Sequence, residues 1–346
     1  MSDKELEVYI DGAYYPKSKA KISVFDHGLL YGDGVFEGIR AYGGSVFKLK
    51  EHVDRLYRSA HMIMLDIPMT RERMVQTVVK TLRKNGLKDS YIRLVVTRGV
   101  GDLGLNPKKC PKPTIIVITD TILLHKGEAK EKGVTAMLSW VKRDPVDATS
   151  HEIKSLNYLN SILAKIEANI SGVDEAICLD KNGYVCEGVA ENIFIVKVGK
   201  LFTPPSYTGA LPGITAQEAI KLAKKLGFEV EEKNITPYEL FNAEEVFFTG
   251  TAAEIVPVNE INKRKINSGK PGFITKKLIK NSQDWFQIPN REYRFSSRIR
   301  ACKSAYSALS PVLHKSFNFV ESFLKGLKRR KNHPPNVAST IVWVKT

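Results

Sequence analysis

The chain contains few cysteines, and their spacing excludes the sites that cysteines usually build. Four occur in 346 residues: Cys110, Cys178, Cys186 and Cys302. No two form a CxxC pair, and none belongs to a Cys/His cluster with the spacing of metal ligands. We therefore expect reduced cysteines that pack as small apolar side chains, with no disulfide framework and no metal site.

Long apolar runs are also missing. No stretch approaches the roughly 18 apolar residues that a membrane-spanning helix requires. The first five residues are polar and partly acidic, where a signal peptide would be basic and then apolar. These features predict a soluble cytoplasmic protein without a membrane partner. The length and the apolar fraction of 43% suffice for two packed domains with a cleft between them.

The excess of positive charge is concentrated near one end of the chain. The formal net charge is +16, and residues 281–346 contribute +9 of it, with 12 Lys or Arg against 3 Asp or Glu. Residues 1–280 carry the remaining +7. A nucleic-acid-binding protein that uses this basic tail is one hypothesis, but it explains nothing before residue 281.

One lysine lies at a junction between two predicted elements. Lys154 follows an apolar, strand-like segment at residues 134–141 and precedes a helix predicted from apolar residues at i, i+3 and i+4 spacing. We expect that helix to bury one stripe, formed by Leu156, Leu159, Ile162, Leu163 and Ile166. A lysine in such a hinge can react with an aldehyde if burial or a neighbouring positive charge removes its proton. A solvated surface lysine is the alternative.

Later segments offer carboxylates and anion-binding turns. Glu187 and Glu191 are predicted to share one face of an otherwise apolar strand, where at least one should meet a cation or a protonated donor. Residues 212–215 precede a helix predicted at 216–226, so their backbone amides would form an anion site at its N-terminus, unless they only start the helix. A second site is predicted where the strand at residues 247–249 runs into a turn of small residues.

Three further side chains fit an anionic ligand. Tyr91 and Arg93 share one face of a predicted strand, because side chains alternate with a period of two, and together they can clamp a carboxylate. Arg55 lies on a helix predicted at residues 49–64. It either grips a phosphate or pairs with Asp54 or another surface carboxylate.

A hinge lysine, buried carboxylates, anion cradles and a Tyr/Arg pair are the groups that pyridoxal phosphate requires. Seven stretches resemble the class IV, fold-type IV pyridoxal-phosphate aminotransferases, and specifically the branched-chain amino acid aminotransferases. The stretches are YGDGVFEG at 31–38, EHVDRL at 51–56, YIR at 91–93, IKSLNY at 153–158, EGVAEN at 187–192, LPGIT at 211–215 and GTAAE at 250–254. They occur in the family's order between residues 8 and 279.

The resemblance implies an α+β fold of the D-amino acid aminotransferase-like type. A small N-terminal α/β domain would span residues 1–122, and a connector would span 123–133. A larger pyridoxal-phosphate-binding domain with a β-barrel-like core would span 134–280, with the cofactor at the domain interface. Residues 281–346 match nothing in the family. A basic interaction tail and a shifted reading frame are both open, and we expect this segment to be poorly ordered.

The resemblance also assigns roles to residues. Lys154 would form the Schiff base with the cofactor and move the substrate proton, and Glu187 would keep the pyridine nitrogen protonated. The expected phosphate ligands are Arg55, Ile214, Thr215 and Thr251, and Tyr158 would contact the ring oxygen. The expected substrate contacts are Tyr91, Thr251 and Ala252 for the α-carboxylate, Arg93 for the glutamate side chain, and Phe36 and Tyr31 for the apolar side chain. Tyr31 and residues 100–105 would reach in from a second subunit.

The implied activity is transfer of the amino group between L-leucine, L-isoleucine or L-valine and 2-oxoglutarate, by a ping-pong mechanism in at least a homodimer. Residues 120–126 lack the aromatic side chains that some family members place near the substrate pocket, which leaves the substrate range open. D-Amino acid aminotransferase and aminodeoxychorismate lyase are the alternatives on the same fold, because both would share Lys154 and Glu187.

Overall fold

The computed structural model describes residues 5–121 and 128–287, and these form two β-sheets with flanking helices. The first sheet contains β1 (Glu7–Ile10), β2 (Ala13–Pro16), β3 (Gly34–Tyr42), β4 (Ser45–Val46), β5 (Ser90–Thr97) and β6 (Thr114–Asp120). Its strand order is β2-β1-β6-β5-β3-β4, and every neighbouring pair is antiparallel.

One face of this sheet is covered by helices. A short helix, α1 (His27–Tyr31), precedes β3, and α2 (Leu49–Met62) and α3 (Arg71–Asn85) pack across the sheet. On β5, the side chains of Ile92, Leu94 and Val96 are buried in the core with these helices, because alternate residues of a strand point to one face. The intervening Tyr91 and Arg93 therefore lie on the opposite face.

The second sheet is mixed and curled. It contains β7 (Val134–Leu138), β8 (Glu175–Leu179), β9 (Val185–Gly188), β10 (Asn192–Lys197), β11 (Lys200–Thr203), β12 (Val230–Glu232), β13 (Glu245–Gly250), β14 (Glu254–Ile261) and β15 (Arg264–Lys265). The order is β12-β11-β10-β13-β14-β7-β8-β9, and β15 pairs with β14. The last strand, β9, lies next to β10. In the turn that joins the two strands, Gly188 N donates to Glu191 O over 2.7 Å. The predicted barrel-like core is confirmed.

Five helices accompany the second sheet: α4 (Glu128–Lys132), α5 (Leu159–Ile170), α6 (Ile214–Lys225), α7 (Pro237–Phe241) and α8 (Phe273–Gln287). Apolar residues fill the interior of the curl, and a separate cluster lies between the sheet, α6 and α8. A buried acid starts α8, because Glu245 on β13 accepts from the amides of Ile274 (2.9 Å) and Thr275 (2.7 Å). In the described part of the chain, every helix is too short or too polar to cross a bilayer.

The prediction that α5 buries its stripe of large apolar residues is wrong. Leu159 is 67% exposed and Ile162 is 52% exposed, and Leu163 and Ile166 are exposed as well. The helix instead turns its small residues to the protein, where Ala164 and Ala168 pack against β8. Small side chains allow the helix to approach the sheet closely, and the large ones consequently face outward.

Two other sequence expectations need comment. Glu187 and Glu191 do not share a strand, because β9 ends at Gly188 and residues 189–191 form a turn before β10. The segment carries a single turn-forming glycine among apolar residues, so its pattern resembles one continuous strand. The division at 1–122, 123–133, 134–280 and 281–346 stays a prediction. Helix α8 passes the boundary at 280, while residues 1–4, 122–127 and 288–346 lie outside the described residues.

Candidate functional site

A cavity of about 500 Å³ is lined by residues of both sheets. It contains ten of the twelve predicted site residues: Phe36, Arg55, Tyr91, Arg93, Lys154, Tyr158, Ile214, Thr215, Thr251 and Ala252. A smaller cavity of about 170 Å³ shares Lys154 and Tyr158 with the first and adds Glu187. The structure therefore brings together chemical groups that lie more than a hundred residues apart in the sequence.

Lys154 lies in the loop between β7 and α5, and its backbone is fixed by β3 of the first sheet and by α2. Its carbonyl accepts from Phe36 N (3.0 Å), and its amide donates to Ser59 Oγ (3.1 Å). The Nζ atom donates to Tyr158 Oη over 3.0 Å and lies 4.7 Å from the centre of the Phe36 ring. The backbone anchors and the short contacts hold the amine at the wall shared by the two cavities.

Arg55 is almost completely buried, and a carboxylate of the first sheet orients it. Its Nε and Nη2 donate to Oε1 and Oε2 of Glu37 over 2.7 and 2.9 Å, and its Nη1 donates to Pro212 O over 3.0 Å. Arg55 thus pairs neither with Asp54 nor with a surface acid. A guanidinium has five N–H groups, and these three contacts leave others for a ligand in the cavity.

The N-terminus of α6 borders the cavity beside Arg55. Gly213 is its N-cap residue and supplies no side-chain hydrogen bond, so the first amides of the helix lack a capping partner from that position. A Cβ atom at Gly213 would collide with Oδ1 of Asn192, whose Nδ2 donates to Leu211 O over 2.7 Å. Glycine is therefore required here for close packing, and the uncapped amides form a site for an anion.

The turn between β13 and β14 forms another part of the wall. Ala252 O accepts from Arg40 Nη1 over 3.3 Å, which ties this turn to β3 of the first sheet. The hydroxyl of Thr249, at the end of β13, is buried and has no hydrogen-bond partner among the described residues. A buried hydroxyl without a partner is costly, which indicates that a polar ligand group belongs beside it.

Tyr91 and Arg93 project from β5 into the same cavity, as predicted. The Arg93 guanidinium lies 4.6 Å from the centre of the Phe36 ring and 5.4 Å from that of Tyr91. The Tyr91 hydroxyl lies against the Cα of Gly38, and any side chain at that position would collide with it. The phenol and the guanidinium thus face the cavity beside an aromatic surface, in an arrangement that suits a carboxylate attached to an apolar group.

Glu187 is buried at the smaller cavity, and its two oxygens have different partners. Oε1 lies 3.1 Å from Nε of Arg143, and Oε2 accepts from Leu211 N over 3.0 Å. Burial raises the pKa of the Glu187 carboxyl, and the positive charge of Arg143 offsets only part of that effect. The group is therefore an acid whose charge depends on the cations around it.

Tyr31 is the one predicted site residue that lines neither cavity. It lies on α1, and its hydroxyl donates to Leu103 O over 2.6 Å while its ring contacts His27. The structure contains one chain, so the expectation that Tyr31 and residues 100–105 reach the site of a second subunit stays a prediction.

Sequence reasoning missed two acid–base groups of the site, Arg143 and Glu37. Arg143 lies in a polar loop, and no periodic pattern distinguishes it from its charged neighbours. Glu37 did leave a signal, because Val35, Glu37 and Ile39 alternate on one face of a strand that is apolar on both sides. The argument that a buried acid needs a cation applies to Glu37 as it does to Glu187.

Comparisons with known proteins agree with this geometry. Residues 34–261 match the family described as Amino-transferase class IV. A protein of Methanocaldococcus jannaschii named "Putative branched-chain-amino-acid aminotransferase" is 57% identical over 279 residues, which cover 81% of this chain and 96% of that protein.

Solved structures give the same result. The Escherichia coli branched-chain amino acid aminotransferase has a TM-score of 0.79 at 36% identity, and the match covers 86% of this chain and 98% of that one. A branched-chain amino acid aminotransferase from T.th., solved with pyridoxamine 5'-phosphate, has a TM-score of 0.79 at 38% identity, covering 84% and 97%. The family match, the shared fold and the convergence of the seven sequence stretches on one cavity lead to one conclusion: the chain belongs to the class IV aminotransferases.

Proposed function

We propose that the protein is a pyridoxal-phosphate-dependent branched-chain amino acid aminotransferase. It would transfer the amino group between L-leucine, L-isoleucine or L-valine and 2-oxoglutarate in two half-reactions. The observation that carries the proposal is that Lys154 and Glu187, 33 positions apart in the sequence, line one cavity. The names of the relatives and the pyridoxamine 5'-phosphate of a solved neighbour support the substrate class and the cofactor.

The residues of the cavity fit this cofactor. Its phosphate needs cations and amide donors, which Arg55 and the uncapped start of α6 supply. The unpartnered hydroxyl of Thr249 marks a further polar position. Its pyridine nitrogen needs an acid, and Glu187 lines the smaller cavity, which shares Lys154 with the larger one. Tyr158, bonded to Lys154 Nζ, is placed to contact the ring oxygen.

When bound, pyridoxal phosphate supplies the aldehyde that takes up the amino group and a ring that accepts the electron pair left when a proton leaves the substrate Cα. Lys154 would hold the aldehyde before substrate arrives and then remove the Cα proton through Nζ. Glu187 would accept a hydrogen bond from the protonated ring nitrogen. Thr251 and Ala252 would orient the α-carboxylate together with Tyr91, and Arg93 would pair with the side-chain carboxylate of glutamate.

The apolar side-chain pocket would be formed in part by Phe36, whose ring packs edge-on against Tyr158 at 5.0 Å. This position explains how one site can accept both substrate classes, because Phe36 lies directly beneath Arg93. A branched aliphatic chain would contact the ring, while the glutamate carboxylate would reach past it to the guanidinium.

We also propose that a second copy of the chain covers α5. Five large apolar residues on this helix are exposed, and Ile162 among them also borders the cavity. Contiguous exposed apolar surface of this kind is typical of subunit interfaces. At least a homodimer would result, with Tyr31 and residues 100–105 near the partner's site. The cytoplasmic location and the domain boundaries stay predictions of the sequence.

A visible absorption experiment tests the function. The purified protein is titrated with pyridoxal phosphate, then with L-leucine, and then with 2-oxoglutarate. We expect an absorbance band to form with the cofactor, to shift with L-leucine and to return with 2-oxoglutarate, because each half-reaction changes the cofactor. Lys221→Ala, which changes an exposed lysine of α6, is the matched control for Lys154→Ala.

The alternatives give different results in the same experiment. A D-amino acid aminotransferase would respond to D-leucine and not to L-leucine. A lyase of the aminodeoxychorismate type would release pyruvate from its own substrate and would not be reset by 2-oxoglutarate. No band with pyridoxal phosphate, or no change with L-leucine, would refute the proposal.

A further inference from the structure

We propose that Glu37 is a positioning residue for the cofactor phosphate, which it serves by holding Arg55 in one orientation, and that His52 supports it. This inference rests on the proposed function, because it takes the phosphate of pyridoxal phosphate as the ligand of Arg55. Glu37 lines neither cavity, so it would act only through the arginine.

Glu37 is completely buried on β3, and protein donors occupy both of its oxygens. Oε1 accepts from Arg55 Nε (2.7 Å), and Oε2 accepts from Arg55 Nη2 (2.9 Å). His52 Nδ1 lies 2.7 Å from Oε2. The two bonds to Arg55 form a planar bidentate pair, which fixes the direction of the guanidinium as well as its distance.

This orientation directs Nη1 away from Glu37 and toward the start of α6. Nη1 donates to Pro212 O, one residue before the N-cap of α6. The chain of contacts therefore runs from Glu37 on the first sheet, through Arg55 on α2, to Pro212 just before α6, a helix that packs on the second sheet. The two hydrogen bonds that orient Arg55 therefore also hold its guanidinium beside the N-terminus of α6. The arginine and the helix amides are the two parts of the proposed phosphate site.

The charge of Glu37 is needed because both it and Arg55 are shielded from solvent. Side-chain exposure is 0% for Glu37 and 5% for Arg55. A guanidinium buried beside a neutral group would remain uncompensated, and it would either move or recruit another anion. Although burial acts to raise it, the charge of Arg55 and the hydrogen bonds from Arg55 and His52 lower the pKa of Glu37 to about 2, so the carboxylate stays ionised.

His52 completes the arrangement from the same helix as Arg55. The two residues are three positions apart, so both lie on the face of α2 that meets β3. His52 is also completely buried, and its Nε2 has no hydrogen-bond partner among the described residues. Leaving one ring nitrogen without a partner is costly, which indicates that the contact of the other nitrogen with Glu37 is what places the histidine here.

The test compares two ligands that differ only in the phosphate. Apoprotein of full length is titrated with pyridoxal phosphate and with pyridoxal, and dissociation constants are measured by fluorescence and absorbance. We expect Glu37→Gln to raise the dissociation constant for pyridoxal phosphate by about tenfold to a hundredfold. The dissociation constant for pyridoxal should rise by no more than about twofold. A residue that only stabilises the fold would weaken both ligands equally.

A double-mutant cycle separates action through Arg55 from other effects. In the Arg55→Gln background, Glu37→Gln should have no further effect on the affinity for pyridoxal phosphate, because the residue that it orients is absent. Glu37→Asp keeps the negative charge beside Arg55 but withdraws the carboxylate by one methylene group, so we expect the same selective loss. Glu245→Gln is the matched control, since it neutralises a buried acid that caps α8, and the ratio of the two affinities should not change.

Two results would overturn the inference. One is that Glu37→Gln lowers the affinity for both ligands equally, or for neither, while Arg55→Gln selectively lowers the affinity for pyridoxal phosphate. The other is a full additional loss when both substitutions are combined. A wild-type protein that binds no pyridoxal phosphate would instead overturn the proposed function, and this inference with it.

Discussion

Replacing Arg143 with methionine tests whether the charge of Glu187 depends on a single buried partner. Arg143 is 1% exposed and connects α5 to β9. Its Nη1 donates to Asn160 Oδ1 (2.9 Å) and Ser161 Oγ (3.1 Å), and its Nη2 donates to Gly188 O (2.6 Å). Its Nε lies 3.1 Å from Oε1 of Glu187. Methionine fills much of the same volume without the charge or the donors.

The expected cost follows from the groups left behind. Removing one partner of a buried ion pair costs about 3–5 kcal/mol, because the other charge remains in a medium of low dielectric constant. We expect Arg143→Met to lower the free energy of unfolding of the apoprotein by about this amount near neutral pH. The double variant Arg143→Met/Glu187→Gln lacks both charges of this buried ion pair. The remaining loss should be about 1–3 kcal/mol, from the carbonyl and side-chain acceptors without partners.

The sign of the pH dependence distinguishes this explanation from simple loss of packing. Burial raises the pKa of Glu187, and Arg143 opposes that rise. Removing the arginine raises the folded-state pKa further above the unfolded value. The folded state then binds more protons than the unfolded state between those two values, so stability falls as the pH rises through that window. The slope reaches at most about 1.4 kcal/mol per pH unit for one group.

Urea unfolding of the apoproteins at about pH 5.5 and about pH 8 measures the effect. Apoprotein is used because bound cofactor would stabilise every variant by mass action. Arg143→Met should lose more stability at the higher pH, and the double variant should not. A cost that is the same at both pH values, or a double variant no more stable than the single one, would refute the idea that Arg143 compensates the charge of Glu187.

Three other substitutions give separate tests. Lys154→Ala should keep the circular dichroism spectrum of the wild type and lose transamination, whereas Lys221→Ala should keep both; turnover by purified Lys154→Ala would contradict the role of the lysine. Gly213→Ala should weaken pyridoxal phosphate by about tenfold, because its Cβ would displace Asn192 and break the bond of that side chain to Leu211 O; an unchanged dissociation constant would contradict the close packing. Leu163→Glu on α5 should lower the molar mass measured by light scattering, because it puts a charge into the proposed interface. Val198→Glu, at an exposed turn between β10 and β11, should leave the molar mass unchanged. A monomeric wild-type protein would contradict the proposal that a second copy covers α5.

The sequence predicted the site more accurately than it predicted the packing around it. Lys154, Glu187, Tyr91 and Arg93 could be identified because each breaks the pattern of its element: a lysine in a hinge, an acid in an apolar strand, polar residues on one strand face. All four reach the cavity walls. A residue that violates a local pattern is costly unless it has a function or a partner, so such violations point to sites.

The errors have a different physical origin. Apolar periodicity shows that a face of α5 avoids water, but it does not show whether sheet or subunit covers that face. Arg143 obeys every local rule for a loop residue, and only the folded chain reveals its burial beside Glu187. Its importance follows from a contact between distant segments, which no local pattern in the loop encodes.

The two buried acids near the cavity illustrate how the number of partners decides what an acid can do. Glu37 has three donor contacts from Arg55 and His52, and these lower its pKa to about 2. Glu187 has one ion-pair contact and one amide, and its pKa is raised. Glu37 is therefore a fixed anion whose charge is already neutralised by protein groups, which suits a residue that aims an arginine.

Glu187 is only partly compensated, and this difference has a functional meaning under the proposed reaction. A carboxylate that is already saturated by cations would gain little from a protonated pyridine nitrogen. A carboxylate with a raised pKa would instead gain a favourable ion pair with that nitrogen, and it would in turn keep the nitrogen protonated. Arg143 must then supply enough positive charge to keep Glu187 ionised, yet not so much that the nitrogen becomes superfluous. For this reason a more tightly paired Glu187 would make a more stable protein and a poorer aminotransferase.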